Sequence, residues 1–401
     1  MRRVLLVAAT TGYQVREFAE AARTLGVDLV FATDRCHILP DPWGDNAAPV
    51  RFEDPEAGIE SLIARGPFDG ILAVGDRPAC VAAQAAERLG LRFHSAKSAT
   101  AAANKLLTRE CFRAVGMLVP DFQRVSPGMD PMRYPCVVKP LDGSASRGVI
   151  RANDAEEFRV AAERVAHMGF DELLVEDYIP GREFALEGIV SGGRLTTLAL
   201  FDKPDPLVGP FFEESIYVTP SVEGEAVHSA IRDAAQAAVT ALGLSDGPVH
   251  AEMRVNDRGV WMLEVAARPI GGLCSRVLRF ADAQAEGLCH LEELLMRHAL
   301  GDDISSVHLA PGAHGVMMIP IPNAGVFRGV DGLEEARKLA GVEDIVITAK
   351  PGQVLVPLPE GSSYLGFIFA RGDSPGTVNS ALRKTHMSLK FHLAAALPVV
   401  K

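Results

Sequence analysis

Apolar and polar positions along this chain fall into two periods, and the order in which those periods change predicts an α/β layer followed by antiparallel sheet. Residues 4–9 (VLLVAA) are continuously apolar, as in a parallel strand covered on both faces, and Thr10-Thr11-Gly12 is the turn behind it. Residues 14–25 set Val15, Phe18, Ala22 and Leu25 at helical spacing. Strands over 28–32 and 70–74 and a helix over 78–89 complete a βαβ pattern. Residues 1–95 therefore read as an open α/β sheet whose strand ends, Gly75-Asp76-Arg77 among them, offer room for a small ligand. Asp76 serves equally well there as a helix cap. The first turn lacks GxGxxG, so the dinucleotide fingerprint is absent.

An alanine-rich helix over 98–115 carries Lys105 and ends at Gly116 and Pro120. Residues 135–140 (PCVVKP) form a short strand with Lys139, followed by Asp142, Gly143, Ser144, Ala145, Ser146, Arg147 and Gly148. A strand lysine beside a Gly/Ser loop suits phosphate, since backbone N–H groups and hydroxyls donate and the ammonium supplies charge. It is not a Walker loop, and a flexible surface turn is the stronger reading of these residues taken alone. A helix over 154–168 precedes a buried strand over 173–175, which runs into Glu176-Asp177-Tyr178-Ile179-Pro180-Gly181. A strand over 182–190, with Glu183 at its start, pairs with 195–201 across Ser191-Gly192-Gly193.

Residues 202–221, with four prolines, Phe211, Phe212, Glu213 and Glu214, read as a functional lid loop. Amphipathic helices follow over 225–242 and 285–300. From about residue 312 a small α+β domain combines strands over 315–319, 344–348 and 365–370 with helices over 333–339 and 377–388.

The segment 249–272 carries the most chemistry. It reads as a hairpin closed by the three-residue loop Asp257-Arg258-Gly259, which sets Val255 opposite Trp261 and Glu252 opposite Glu264. Alternation puts Val249, Ala251, Met253, Val255, Trp261, Leu263 and Val265 on one face, and His250, Glu252, Arg254, Met262, Glu264 and Arg268 on the other. Two opposed carboxylates at ~4 Å repel by about 1 kcal/mol in water and about 4 kcal/mol at an effective dielectric of 20. A hard divalent cation reverses that sign, and carboxylate oxygens suit Mg²⁺. Pairing with Arg254 or Arg258 is the plainer alternative.

Composition narrows the function. The chain has 401 residues, enough for about two to four domains, and is 48% hydrophobic and 23% charged. A net charge of −11 argues against general affinity for nucleic acid or an anionic membrane. Cys36, Cys80, Cys111, Cys136, Cys274 and Cys289 show no CxxC or zinc spacing, so free thiols in a reducing cytosol are expected. Cys274 follows the hairpin closely but has no general base identifiable beside it. No apolar run approaches the ~18 residues of a membrane span, and a cytoplasmic location is expected.

In order, then, the chain offers a helix lysine, a strand lysine, a Gly/Ser loop, Glu-x-x-Ile with a further glutamate at Glu183, and a glutamate hairpin followed by Arg268 and Gly271-Gly272. This order resembles the ATP-grasp superfamily across nearly the whole chain. The 142–151 loop, the 202–221 lid and EVAARPIGG look most like the L-amino acid ligases. The resemblance implies a multidomain α/β and α+β fold. Its parts are an N-terminal open parallel domain (1–95), a helical connection (96–120), a lid subdomain (121–192), an antiparallel catalytic subdomain (193–305) and a C-terminal α+β domain (306–401).

It also implies roles. Lys105, Lys139 and the loop Ser144, Ser146, Arg147 and Gly148 would hold the triphosphate of ATP. Glu176, Tyr178 and Ile179 would form the adenine hinge, and Glu183 would accept from the ribose. Glu252 and Glu264 would ligate Mg²⁺, with Mn²⁺ as an alternative. Arg268, Gly271 and Gly272 would face the substrate, Arg268 and Glu264 acting in catalysis, and Glu213 or Glu214 would hold the amino group. Many ATP-grasp enzymes have asparagine two residues after the second glutamate; here it is Ala266, opposite His250 in this register. The reaction implied joins a small carboxylic acid or amino acid to an amine through an acyl phosphate, releasing ADP and phosphate. The family commonly forms homodimers. Alternatives are an ATP-grasp enzyme of nucleotide biosynthesis or biotin-carboxylase type, and a non-catalytic nucleotide-binding module.

Overall fold

A computed structural model describes residues 1–9, 13–34, 47–126, 133–170, 172–282 and 287–395. The expected Thr10-Thr11-Gly12 turn and Cys36 lie outside them. Strands Ala47–Pro49, Asp28–Thr33, Arg3–Ala8 and Gly70–Val74 form a parallel sheet in that spatial order. Val4, Leu5, Leu6, Val7 and Ala8 are all buried, as a strand covered on both faces requires. Helices Val15–Leu25, Pro55–Ala64 and Asp76–Leu89 provide cover.

The single helix expected over 98–115 is two, Ala96–Ala103 and Lys105–Ala114. Asn104 between them is extended (φ −114°, ψ 114°), and its Oδ1 caps the second helix by accepting from Leu107 N at 3.0 Å. Lys105 thus opens a helix. Its own N–H donates to Leu141 O at 2.7 Å, tying it to the end of the Lys139 strand. The second helical correction lies near residue 290: the helix expected from 285 starts at Leu291, where His290 and Glu293 form a capping box behind the strand Leu288–His290.

Two further sheets carry the site. The strands Phe122–Val125, Leu173–Asp177, Cys136–Pro140 and Ile150–Ala152 form an antiparallel sheet covered by the helix Ala155–His167, which Asp154 caps. Arg182–Ser191, grouped with residues 121–192 from the sequence, belongs instead to an eight-stranded sheet. That sheet runs Gly259–Ala266, Gly247–Asn256, Arg182–Ser191, Arg194–Lys203, Ile216–Thr219, Ala313–Ile319, Gly366–Gly372, Val342–Ile347. Three of its strands come from the C-terminal segment. The loop expected over 202–221 is shorter at both ends, because residues to Lys203 and from Ile216 to Thr219 pair into this sheet. Gly181, between the two sheets, has φ 148°, and a Cβ there would lie 2.6 Å from Val255 O. Only glycine fits that approach.

The glutamate hairpin has an unexpected route to the expected pairing. Asn256 pairs with Gly259, so the loop is the two-residue Asp257-Arg258 turn, and Arg254 rather than Val255 faces Trp261. Continued regularly, this register would set Glu252 against Leu263. A β-bulge beyond Met253/Met262 inserts Leu263 as an extra residue and restores Glu252 opposite Glu264 and His250 opposite Ala266. The bulge also reassigns faces: Met262 is buried in the core with Met253, and Leu263 reaches the functional cavity.

Among the described residues no helix is long and apolar enough to cross a membrane. Cys80, Cys111, Cys136, Cys274 and Cys289 are free thiols. Replacing Asn104 by alanine removes a helix cap, a loss that should cost about 1 kcal/mol of stability. A lowered urea midpoint, with Asn104→Ser restoring most of it, is the expected result; an unchanged midpoint would show that the cap contributes nothing.

Candidate active site

One cavity of about 340 Å³ lies between the two antiparallel sheets and the C-terminal end of the parallel sheet. Its lining includes Lys105, Lys139, Ser144, Ser146, Arg147, Glu176, Tyr178, Ile179, Glu183, Glu214, Glu252, Glu264, Arg268, Gly271 and Gly272. These span residues 105–272, and the fold brings them together. Two expected residues stay outside the lining. Gly148 uses its N–H on Pro359 O at 2.9 Å, and Glu213 is half-buried elsewhere, raised in pKa by that burial.

The phosphate-side cations sit on rigid supports. Lys139 projects from Cys136–Pro140 and pairs with Glu176 of the neighbouring strand. Arg109, fully buried, brings Nε within 2.6 Å of Glu176 Oε1 and donates from Nη2 to Leu263 O at 2.6 Å. Burial would raise the Glu176 pKa, but these two cations outweigh it and lower it. Burial pulls Lys139 down to about 8 despite Glu176. Lys105 donates from Nζ to Gly143 O at 2.6 Å and stands 3.6 Å from Glu264 Oε2. Ala145 and Ser146 both have φ 54°, so the loop between Lys139 and the strand Ile150–Ala152 is held in a left-handed turn that presents Ser144 and Ser146 to the cavity.

The hinge is more heavily occupied than its sequence suggests. Ile179 O accepts from Arg254 Nη1 at 2.7 Å. Glu183 is held on one oxygen by Arg254 Nε (2.8 Å) and on the other by Lys203 Nζ (3.0 Å). The Tyr178 ring lies under Arg151, whose Cζ is 4.0 Å from its centroid, and stacks with Phe212.

At the centre of the carboxylates is Lys203, which the sequence left at the edge of a loop. Its ammonium lies 2.7 Å from Glu214, 2.9 Å from Glu252 and 3.0 Å from Glu183, three carboxylates whose oxygens cluster within 4.8 Å. Burial opposes the charge on Lys203, but Glu214 and Glu252 hold its pKa well above the ordinary value. Burial and the neighbouring Glu252 raise Glu214 to about 7. His250 donates between Glu187 (3.2 Å) and Glu252 (3.4 Å); burial opposes its protonation, yet these bonds raise it to about 9. The cue for Lys203 was its strand: Arg194–Lys203 pairs with Arg182–Ser191, and a bulge at Leu198 brings Lys203 opposite Glu183.

Residues Glu252 and Glu264 suit a hard cation. They face one another across the hairpin at the cavity wall; Lys203, Tyr217 and His250 all meet Glu252 on Oε1, and Glu264 has only the 3.6 Å approach of Lys105 as an ion pair among the described residues. At the opposite end Arg268 Nε donates to Asp76 Oδ1 at 2.9 Å, so Asp76 belongs to the site rather than merely to a helix start. Cys274 lines the cavity with its thiol pKa raised by burial, which keeps it protonated.

Known proteins share this fold and its domain order. Residues 19–92 match the ATP-grasp N-terminal domain, 132–277 the ATP-grasp domain and 317–394 the L-amino acid ligase C-terminal domain 2. The L-amino acid ligase of Bacillus licheniformis has a similar structure, with a TM-score of 0.82 at 24% identity over 98% of this chain and 99% of that one. The alanine–anticapsin ligase of Bacillus subtilis (strain 168) is 26% identical over 47% of this chain and 46% of its own, so this chain's match spans about half of that relative. A D-alanine–D-alanine ligase of Gloeobacter violaceus is 30% identical over 52% of this chain and 72% of its own. With opposed glutamates, a two-lysine wall and all three domain matches in the expected order, the chain belongs to the ATP-grasp superfamily and is similar in kind to its L-amino acid ligases.

Proposed function

We infer that this protein is an ATP-dependent carboxylate–amine ligase that makes an amide, peptide-like bond and releases ADP and phosphate. The observation that carries this reading is one cavity holding Glu252 opposite Glu264, with Lys105 and Lys139 on one side and Arg268 on the other. The match of residues 317–394 to the L-amino acid ligase C-terminal domain favours it over the nucleotide-biosynthesis and biotin-carboxylase alternatives.

Lys105, Lys139 and the hydroxyls of Ser144 and Ser146 bind and orient the triphosphate, and Tyr178 with Ile179 borders the base. Glu252 and Glu264 would hold Mg²⁺, which neutralises charge on the transferring phosphoryl group when bound. The substrate carboxylate attacks the γ-phosphorus; the P–O bond to ADP breaks and an acyl phosphate forms. Arg268, fixed by Asp76, offers a planar donor fork to that acyl group and then to the tetrahedral oxyanion formed by the amine. The amine nitrogen forms the C–N bond, the C–O bond to phosphate breaks, and the amine loses a proton. Glu214 supplies a carboxylate at the acceptor end, and Ser144 to Arg147 exclude water that would hydrolyse the intermediate. We place this reaction in the cytoplasm, consistent with the free thiols.

Two outcomes test the reading. ADP release assayed with Mg-ATP over pairs of amino acids and carboxylic acids should require both partners and fall on the order of 10²-fold or more in Glu264→Ala; release indifferent to that substitution would sink the assignment. The second follows from Lys139. Its ammonium is charged below about pH 8 and loses its charge as pH rises through that value, so kcat/KM for ATP should decline above about pH 8. Lys139→Arg should move that alkaline limb upward, and an unmoved limb would assign it to another group.

A further inference from the structure

A second cavity, about 1000 Å³, lies beside the first, between the helix Val15–Leu25, the start of the helix Leu291–Ala299 and the strand Val342–Ile347. The two cavities share Tyr13, whose hydroxyl bonds to Thr348 and whose ring meets Phe367 edge-on at 5.4 Å. Leu273 lines one and Cys274 the other, so a single turn of chain separates them.

What distinguishes this cavity is charge of both signs left without ion-pair partners. Glu292 is only 2% exposed and Glu17 is half-buried, and among the described residues Glu17 Oε2 has no hydrogen-bond partner. Among the described residues, no lysine, arginine or histidine comes within ion-pair distance of either carboxylate. Arg279, half-buried, donates to the backbone carbonyls of Arg276 and Leu278 and, among the described residues, has no carboxylate within ion-pair distance. Burial correspondingly raises Glu292 to about 7 and lowers Arg279. A buried carboxylate and a half-buried guanidinium that form no ion pair with each other, across a space of ligand size, call for a molecule that meets both. Arg16, Arg276 and Lys350 line the same space with Glu20 and Glu293, so charge of both signs faces it, and a ligand carrying both charges meets Glu292 and Arg279 at once.

We propose that this cavity binds a zwitterion, a free amino acid or a short peptide, with Glu17 and Glu292 receiving its ammonium and Arg279 its carboxylate. Tyr13 then stands between the bound zwitterion and the catalytic cavity. That the zwitterion is the amino acid the enzyme consumes or the peptide it makes rests on the proposed function; the site itself rests on the cavity alone.

Calorimetric titration of the full chain with L-alanine, with L-alanyl-L-alanine and with the uncharged N-acetyl-L-alanine methylamide tests this directly. The structure requires that the charged ligands bind and the uncharged one does not. Arg279→Gln, and independently Thr24→Trp, which fills the exposed rim, should each weaken the charged ligands at least tenfold, with affinity for a non-hydrolysable ATP analogue unchanged. Tighter binding of alanine would name the substrate as occupant, and tighter binding of the dipeptide the product. Wild-type protein that binds neither, or variants that bind both as well as wild type, would overturn the site. Loss of ligase turnover with zwitterion binding intact would reject only the proposed function.

Discussion

Glutamates packed into one wall of a cavity cannot remain charged unless each is answered by a buried cation, and the centre of this protein is arranged around that requirement. Glu176, Glu183 and Glu187 are at most 9% exposed, and Glu214 and Glu252 stand beside them. Taking each out of water costs several kcal/mol, repaid only with good geometry and further hydrogen bonds. Arg109 and Lys139 answer Glu176, Arg254 answers Glu183, His250 answers Glu187, and Lys203 is shared among Glu183, Glu214 and Glu252. These cations arise from a helix, the smaller antiparallel sheet and the large sheet, so satisfying the charges also fixes those elements against one another. Glu264, at the edge of this set, has among the described residues only a long ion-pair contact to Lys105 and remains able to take another cation.

Much of this was legible because local pattern dictated it. Apolar runs marked three of the four parallel strands, missing Ala47–Pro49, helical spacing marked the helix Glu225–Leu242 with its expected bounds, and the opposed glutamates came from counting along a hairpin. That count reached the right pair by the wrong turn. A two-residue loop and a bulge at Leu263 together shift the register as a three-residue loop would, so Glu252 still meets Glu264 while Met262 and Leu263 exchange faces. Bulges leave little trace in composition, and alternation alone cannot reveal them.

Two contacts that sequence did not supply join remote partners. Arg109 and Glu176 are 67 positions apart, and Asp76 and Arg268 are 192. Nothing local marks Arg109 on its helix, and Asp76, at a strand end, could be read equally as a helix cap. Lys203 was hidden differently, at the end of a strand that ran beyond its apolar stretch into prolines. Asn104 broke an alanine-rich helix in two for a local reason, since a capping side chain can stop and restart a helix without glycine or proline.

The same sheet that holds the metal-suited glutamates also carries the C-terminal segment, and this continuity constrains how the cavity closes. Gly148 N donates to Pro359 O, Arg147 Nε donates to Glu360 O at 3.1 Å, and Arg164 of the helix over the smaller sheet pairs with the Glu360 carboxylate. On the other side Arg151 N donates to Pro210 O at 2.8 Å, and Asp205 in that loop pairs with Arg383. The Gly/Ser loop is therefore clasped from both flanks by segments rooted in the eight-stranded sheet or packed on it. Opening it must break these contacts together, whereas the Lys139–Glu176–Arg109 set joins a helix to the strands of the smaller sheet and need not change. The charge of Lys139 is thus built into the framework, whereas the Gly/Ser loop is held by contacts that can be released. A ligase that must admit ATP and then protect an acyl phosphate requires that division of labour.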